Sequence, residues 1–546
     1  MADLLRLTPE TLEFVLLSFE GPDQYSMAGG LGVRMKELAL ELARQGYKTH
    51  LVFIGDPDLP ARESPAENLT LHRWGQWLSA HYRGGVYQGE ESKLIDWNEQ
   101  LPGYVLSEMV QPAVAAGRIT AILAEEWHTA YSTCQISDRL WAEGLRDKAV
   151  ILWNANNTIG FERIDWRRLD FCSQVTTVSR YMKHVMWDLA INPLVIPNGI
   201  PGDRVKRADP AMVAGLRAAF PGRELVFKIG RFSPDKRWNM ALDALADEKR
   251  NGHDIATVIR GGVEPHGAEV LARAYANGLN IVDVKPPRDP MEAIKALAEV
   301  PRADVYNITS FLSDELINVF YTGADAVLAN SGHEPFGLVG LEVMAAGGVT
   351  FVGTTGEDYA VPFLNCIALD TDDPTEINIG LDFLRHHPDI VQRMRDDAME
   401  TAESFSWANV VQDNLLGKLR YVAMRQLVTP PGKSRVTPGP VAPVEPPTAA
   451  AAKAAAEKSA DKKAKAASGD AATSAAGATG DSGAASGGDT AGAGGAGAPV
   501  PAETEAMTDG ASPSGAAANG AGLAYGGQAM TKRPRIKPRT TDGADA

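Results

Sequence analysis

Two successive series of short, β-rich apolar runs, each run separated from the next by an amphipathic stretch of helical length, constrain the fold of this 546-residue chain more than any other feature. The first series occupies residues 14–18, 48–54, 119–123, 150–153, 175–178 and 194–196; the second occupies 225–229, 256–259, 281–284, 305–308, 326–328 and 350–352. Strands alternating with helices build parallel sheets covered by helices, so an α/β class is expected twice over. Between the series stands Pro197-Asn198-Gly199-Ile200-Pro201-Gly202-Asp203, whose proline and glycine content marks a break rather than an element. Two Rossmann-like domains, residues 1–203 and 204–398, are expected to meet there and to face one another across a cleft at the carboxyl ends of their strands. Ligands of open α/β sheets bind in that place.

Composition narrows the class. From residue 429 the chain turns proline-rich and then Ala-, Gly- and Ser-rich, with too few large apolar residues to offset the entropy of ordering, so 429–546 is expected to be disordered. That tail holds 12 basic against 11 acidic residues, which leaves −17 of the formal charge of −16 on the globular part. Such a balance argues against nonspecific nucleic-acid binding and disfavours a strongly anionic membrane surface, while peripheral membrane contact stays open. The basic stretch 532–539 reads as a solvated tail. Cys134, Cys172 and Cys366 lie far apart without C-x-x-C spacing, no apolar run reaches the ~18 residues of a spanning helix, and the start lacks a signal-peptide pattern. A soluble protein of the reducing cytoplasm is expected.

Four segments carry chemistry, each directly after a predicted strand. Gly29, Gly30 and Gly32 form a glycine loop opening a helix, where backbone amides can approach an electron-rich ligand. Glu125-Glu126-Trp127-His128 places an imidazole and an indole at the mouth of the first sheet. Gly230-Arg231-Phe232-Ser233-Pro234-Asp235-Lys236 sets two cations beside the cleft, suited to the charge that develops on a departing diphosphate. His333-Glu334-Pro335-Phe336-Gly337-Leu338 leads into a helix bearing Glu342. Pro335 is expected in its first turn, with open amides near Gly337 as a phosphate seat and two carboxylates too far apart to serve one sugar unit. Trp74, Trp77, Tyr82 and Trp97 could stack on sugar rings, though packing is the commoner use of such residues. Asp56-Pro57-Asp58 mimics a metal-binding D-x-D triplet but lies in a loop of the other domain from the donor segments.

As an ordered set, these segments resemble the retaining glycosyltransferases of the two-Rossmann GT-B kind, in particular family 4 and the glycogen and starch synthases, over about residues 10–425. Arg231 and Lys236 are similar to the family's R-x4-K pair, Glu334 and Glu342 to its E-x7-E, His128 to the histidine of the synthases' D-W-H, and Val195-Ile196-Pro197-Asn198-Gly199 to its approach to the hinge. The resemblance implies that Arg231 and Lys236 hold the diphosphate, Glu334 the hexose and Glu342 the ribose, with His128 beside the hexose and Gly29, Gly30, Gly32, Phe336, Gly337 and Leu338 contributing to the donor site. It also implies a helix at 399–428 that crosses back to the first domain. The implied reaction moves a hexose, with retention, from a nucleoside-diphosphate sugar to a hydroxyl acceptor such as an α-glucan, a lipid-linked or a small soluble molecule, with no cofactor and no metal. Met27 stands where glycogen-extending synthases usually have lysine, Glu126 where they have aspartate, and Gly348-Val349 where family 4 often has proline. An epimerase acting on the same donors and a non-catalytic carbohydrate-binding protein are the competing readings. A phosphorylase would need a pyridoxal lysine segment that the sequence lacks.

Overall fold

The structure, a computed structural model, describes residues 7–430, so the expectations for the tail, including 532–539, lie outside the described residues. The chain from residue 7 to about 200 folds around an eight-stranded sheet. In chain order its strands are β1 (Leu12–Leu17), β2 (Lys48–Ile54), β3 (Arg62–Ala66), β4 (Leu69–Trp74), β5 (Ile119–Glu125), β6 (Ala149–Ala155), β7 (Gln174–Thr177) and β8 (Leu194–Val195). Their spatial order is β3-β4-β2-β1-β5-β6-β7-β8, parallel throughout except for β3 against β4. The second half folds around β9 (Glu224–Ile229), β10 (Ile255–Arg260), β11 (Ile281–Val284), β12 (Val305–Ile308), β13 (Ala326–Ala329), β14 (Thr350–Val352) and β15 (Ile367–Ala368). These seven strands are ordered β11-β12-β10-β9-β13-β14-β15, all parallel.

Strand composition follows from this layering. β1 (LEFVLL) is buried at every position, because a parallel strand with helices on both faces has no wet side. All twelve expected strands are present. The three unanticipated ones have physical reasons: β3 (RESPA) is a largely exposed antiparallel edge carrying a proline, β4 follows it as the return of that hairpin, and β15 is two residues long.

Strand order fixes where a site can lie. In the first sheet the winding reverses between β1 and β5, and in the second between β9 and β13. A crevice opens at such switch points outside the carboxyl ends of the strands. The four segments singled out in the sequence are the loops after β1, β5, β9 and β13, so topology alone draws all four to the same end of their sheets.

The chain recrosses near its end. The helix Pro388–Ser404 runs unbroken and buries Met394, Ala398 and Ala402. At Ser406 the backbone meets the hinge: Ile200 N–H donates to Phe405 O at 3.0 Å and Trp407 N–H donates to Ile200 O at 2.8 Å. Beyond it the helical run from Trp407 to Arg425, with a π turn over Val410–Leu415, packs Trp407, Val411, Leu415 and Leu419 onto Leu12, Phe14 and Leu16 of the first half. The expected boundary at 399 therefore falls inside a helix, and the crossing lies at Ser406.

Candidate active site

On the second half, β9 ends in a turn where Gly230 and the left-handed Arg237 (φ 46°) bend the chain around Lys236. Arg231 is exposed, while its carbonyl accepts from Trp238 Nε1 at 2.7 Å, which pins the turn from below. Lys236 Nζ donates to Glu334 Oε1 and lies 3.5 Å from Asp235. The lysine of the R-x4-K pair and the first glutamate of the E-x7-E pair thus meet, 98 residues apart in sequence.

The helix after β13 begins at Leu338, with Gly337 as its N-cap at φ 78° and no side chain capping the first amides. Pro335 lies outside the helix, contrary to expectation, because the chain must first turn through the left-handed Gly337. Glycine is required there twice over: a Cβ would sit 2.7 Å from Glu357 Cγ, and the positive φ disfavours any other residue. Glu334 precedes this end, its N–H donating to Thr355 Oγ1 at 2.9 Å. Uncapped amides, the positive end of the helix dipole and Lys236 together make an anion seat. Phe336 departs from expectation: its ring is buried against Tyr359 and Phe405, at 5.7 and 6.1 Å between centroids, leaving its backbone alone for a ligand. Leu338 is half-buried at the helix start.

Glu342 lies just over one turn into this helix and lines a cavity of about 650 Å³ with Gly230, Arg204, Asp314 and Tyr321. The size is that of a small-molecule site. Burial pushes the Glu342 carboxyl up to about 7, although Arg204, 4.0 Å away, pulls the other way. Arg204, which the sequence did not mark, also reaches Asp314 at 3.5 Å and Glu37 of the first half at 3.7 Å. Beneath the seat, Lys228 is buried with its ammonium donating to Leu328 O at 3.1 Å and to Asn330 Oδ1. Burial and neighbouring Lys236 bring Lys228 down to about 7.

On the first half, the glycine loop is engaged from within. Gly29 N–H and Gly32 N–H donate to Glu20 Oε2 at 2.9 and 3.1 Å, and Tyr87 O–H donates to Glu20 Oε1 at 2.5 Å. The amides expected to meet a ligand at Gly29 and Gly32 are therefore occupied, whereas Gly30 is exposed. His128 is buried rather than open to the cleft: Phe19 and Trp127 stack on its ring at 4.3 and 3.9 Å, and Nε2 lies 2.7 Å from Glu90 Oε1. Its Nδ1 has no partner in the structure. Trp74 and Trp97 are core residues, which removes them as sugar platforms. Asp58 of the D-x-D-like triplet pairs with Arg83 at 2.9 Å. The described residues contain no group of three or more His, Cys, Asp or Glu side chains able to hold a metal, and no helix among them is long and apolar enough to cross a membrane.

The family model for "Glycosyl transferases group 1" matches residues 217–398, the segment that contains Arg231, Lys236, Glu334 and Glu342. Residues 217–398 thus match the group 1 glycosyltransferases. The fold of the chain is GT-B: it superposes on sucrose-phosphate synthase from Thermosynechococcus elongatus with a TM-score of 0.54 at 17% identity, covering 76% of this chain and all of that one. The catalytic domain of starch synthase IV from Arabidopsis thaliana, bound to ADP and acarbose, gives 0.51 at 15% identity over 77% and 100% of the two chains. In sequence the chain is 25% identical to a D-inositol 3-phosphate glycosyltransferase of Mycolicibacterium vanbaalenii over 72% of this chain and 86% of that protein. It is 29% identical to a 2-deoxystreptamine glucosyltransferase of Streptomyces kanamyceticus over 28% of this chain, a match that spans about a third (34%) of that relative.

At the mouth of the first sheet, Glu126 adopts φ 66° and ψ 167°, a conformation costly for a residue with a side chain. Its N–H bonded to Asn154 O, and its carbonyl accepting from Trp153 Nε1, hold it there. Burial pushes the Glu126 carboxyl up to about 8, against the pull of the Asn156 N–H that donates to it at 2.7 Å. Between about pH 4.5 and 8 the folded protein therefore keeps a proton that the unfolded chain has released, and stability falls as pH rises through that window. Glu342 and Glu357, both pushed up to about 7 by burial, add to the slope. Above pH 7 Lys228 acts in the opposite sense, since the folded state has there released a proton that the unfolded chain retains. Glu126→Gln keeps the acceptor for Asn156. Unfolding free energies should be near-equal for mutant and wild type at pH 5 and favour the mutant by a few kcal/mol, roughly, at pH 8. Parallel pH profiles for the two proteins would refute a neutral Glu126.

Proposed function

We propose that this chain moves a hexose, with retention of anomeric configuration, from a nucleoside-diphosphate sugar to a hydroxyl acceptor, without a metal ion. The observation that carries the reading is the meeting of Lys236 with Glu334 at the uncapped start of the Leu338–Ala345 helix. In the ligand-free chain the two neutralise each other. A donor entering with its diphosphate toward the helix end takes over Lys236 and releases Glu334 to accept from hexose hydroxyls. Glu342, in the adjoining cavity, accepts from the ribose, and Arg231 adds a second, forked cation to the diphosphate. His128, sandwiched between Phe19 and Trp127, backs the hexose pocket from beneath without an exposed polar atom of its own.

As the bond between the anomeric carbon and the diphosphate oxygen breaks, negative charge gathers on the departing diphosphate. Lys236, Arg231 and the helix amides are already placed to stabilise it, so little reorganisation is needed at the moment of reaction. The acceptor hydroxyl attacks from the face the diphosphate leaves and passes its proton to a diphosphate oxygen, which preserves the configuration. The reducing cytoplasm suits the three buried free thiols.

The names of the relatives point to different acceptors, an aminocyclitol in one and a cyclitol phosphate in the other. An α-glucan and a lipid-linked molecule remain further candidates. Incubation with labelled α-linked nucleoside-diphosphate sugars tests the reading. The expected result is transfer or slow hydrolysis that survives EDTA and yields an α-anomer first, read by proton NMR. A β-anomer, activity lost to EDTA and restored by manganese, or interconversion of sugar nucleotides would each refute it.

A further inference from the structure

We infer that Glu20 is a specificity-determining residue that excludes phosphate from the acceptor side of the cleft, so that the acceptor presents an unphosphorylated polyol, a sugar or cyclitol, to the glycine loop. The inference rests on the transferase reading above. The amino end of the Gly30–Arg44 helix, 15 residues long, is the first half's natural phosphate seat. It already holds an anion. One Glu20 oxygen accepts from two loop amides, at 2.9 and 3.1 Å, and the other is pinned by the Tyr87 hydroxyl at 2.5 Å. Glu20 itself is buried.

The groups around it add to the effect. Tyr87 is pushed above its ordinary range by burial first, and then by the carboxyl groups near it, Glu20 foremost, with Glu90 on the same side. Glu90 faces His128, whose imidazole burial holds below its usual pKa and therefore more neutral. Two cations of this half are already engaged: Arg163 is stacked 4.5 Å from the ring centre of Trp127, and Arg34 is paired with Glu125 at 3.2 Å. Gly32 leaves no space for a side chain, since a Cβ there would lie 2.8 Å from Gly21 O, so the loop approaches the backbone of Gly21 closely. A phosphate arriving at the loop meets a fixed carboxylate in its place. A neutral hydroxyl can instead donate to Glu20 or to the Tyr87 oxygen, whose own hydrogen is already given to Glu20.

Two measurements on the full chain decide the point. With the donor site saturated by the nucleoside diphosphate that binds best, inorganic phosphate is titrated into wild type and Glu20→Gln by calorimetry. Glu20→Gln should bind phosphate at least about tenfold more tightly than wild type, because removing the like charge frees the seat. Equal affinities, or tighter binding by wild type, overturn the inference. Should Glu20→Gln fail to fold, Glu20→Ala, which also removes the like charge from the loop amides, is expected to shift phosphate binding in the same direction, and no shift overturns the inference. In the second measurement, wild type is given paired acceptors, each sugar or cyclitol with and without a phosphate monoester. The unphosphorylated member should be used at least about tenfold better in kcat/KM; preference for the phosphorylated member overturns the inference. Donor hydrolysis without acceptor, followed in the same preparation, separates the two claims. Its absence together with absent transfer counts against the transferase reading, while the phosphate titration still decides the role of Glu20.

Discussion

Lys236→Ala is expected to lower kcat/KM for a nucleoside-diphosphate sugar by about 10² to 10³-fold, the loss typical when one preorganised charge-stabilising group is removed from a reacting centre. The lysine bonds Glu334 and stands beside the uncapped helix start, so the truncation removes the point charge on the diphosphate and leaves Glu334 unneutralised where an anion must bind. Both effects fall on the same step. Because the side chains of the pair are about a fifth exposed, 22% for Lys236 and 19% for Glu334, the fold should survive with a small change in stability. Arg231→Ala and Glu334→Ala should behave alike, with circular dichroism confirming a folded chain. Turnover by Lys236→Ala close to wild type would remove the lysine from the donor site.

Arg34→Ala is expected to cost about 3–5 kcal/mol of unfolding free energy, as breaking a buried ion pair from one side does. Arg34 rises from the Gly30–Arg44 helix and holds Glu125, at the end of β5, with Nη2 at 3.2 Å and Nε at 3.4 Å from its two oxygens. Its remaining nitrogen donates to Asn198 in the hinge, and its guanidinium lies 5.4 Å from the ring centre of Trp407 in the returning helix. One side chain thus ties the first sheet to the hinge and to the recrossing segment. Its loss leaves the Glu125 carboxylate buried with only the Asn154 and Asn156 amides, at 2.8 and 2.7 Å, to solvate it. Arg34→Lys should fall between the two, since it restores the charge without the fork. Chemical denaturation reads the effect, and a loss below about 1 kcal/mol would show that the pair contributes little beyond what the two amides supply.

What could be read in the sequence was what depends on neighbours along the chain. Strand runs such as 225–229, the glycine loop and the Glu334–Glu342 spacing are local, and the winding order then carries the loops that follow β1, β5, β9 and β13 to the carboxyl ends of their sheets without further information. What could not be read depends on partners distant in sequence. Glu20 gave no signal because its meaning comes from Tyr87, 67 positions away, and from the turn that brings Gly29 back to it. Lys228 looked like an ordinary residue of a strand until β13 placed Leu328 O and Asn330 against it. Phe336 stood inside a donor-binding motif yet packs on Phe405, a contact set by the distant helix Pro388–Ser404, which Phe405 caps. Proline suits a first helical turn, but the left-handed Gly337 delays the helix by three residues and leaves Pro335 outside it.

The donor seat is tested most directly by a crystal structure of the chain with a nucleoside-diphosphate sugar bound. The diphosphate should lie at the amino end of the Leu338–Ala345 helix within hydrogen-bond reach of Lys236 and Arg231, with the Glu342 carboxylate on the ribose and the Lys236–Glu334 pair opened. A diphosphate seated instead on the glycine loop at Gly29 and Gly32, with Lys236 still paired to Glu334, would contradict the account.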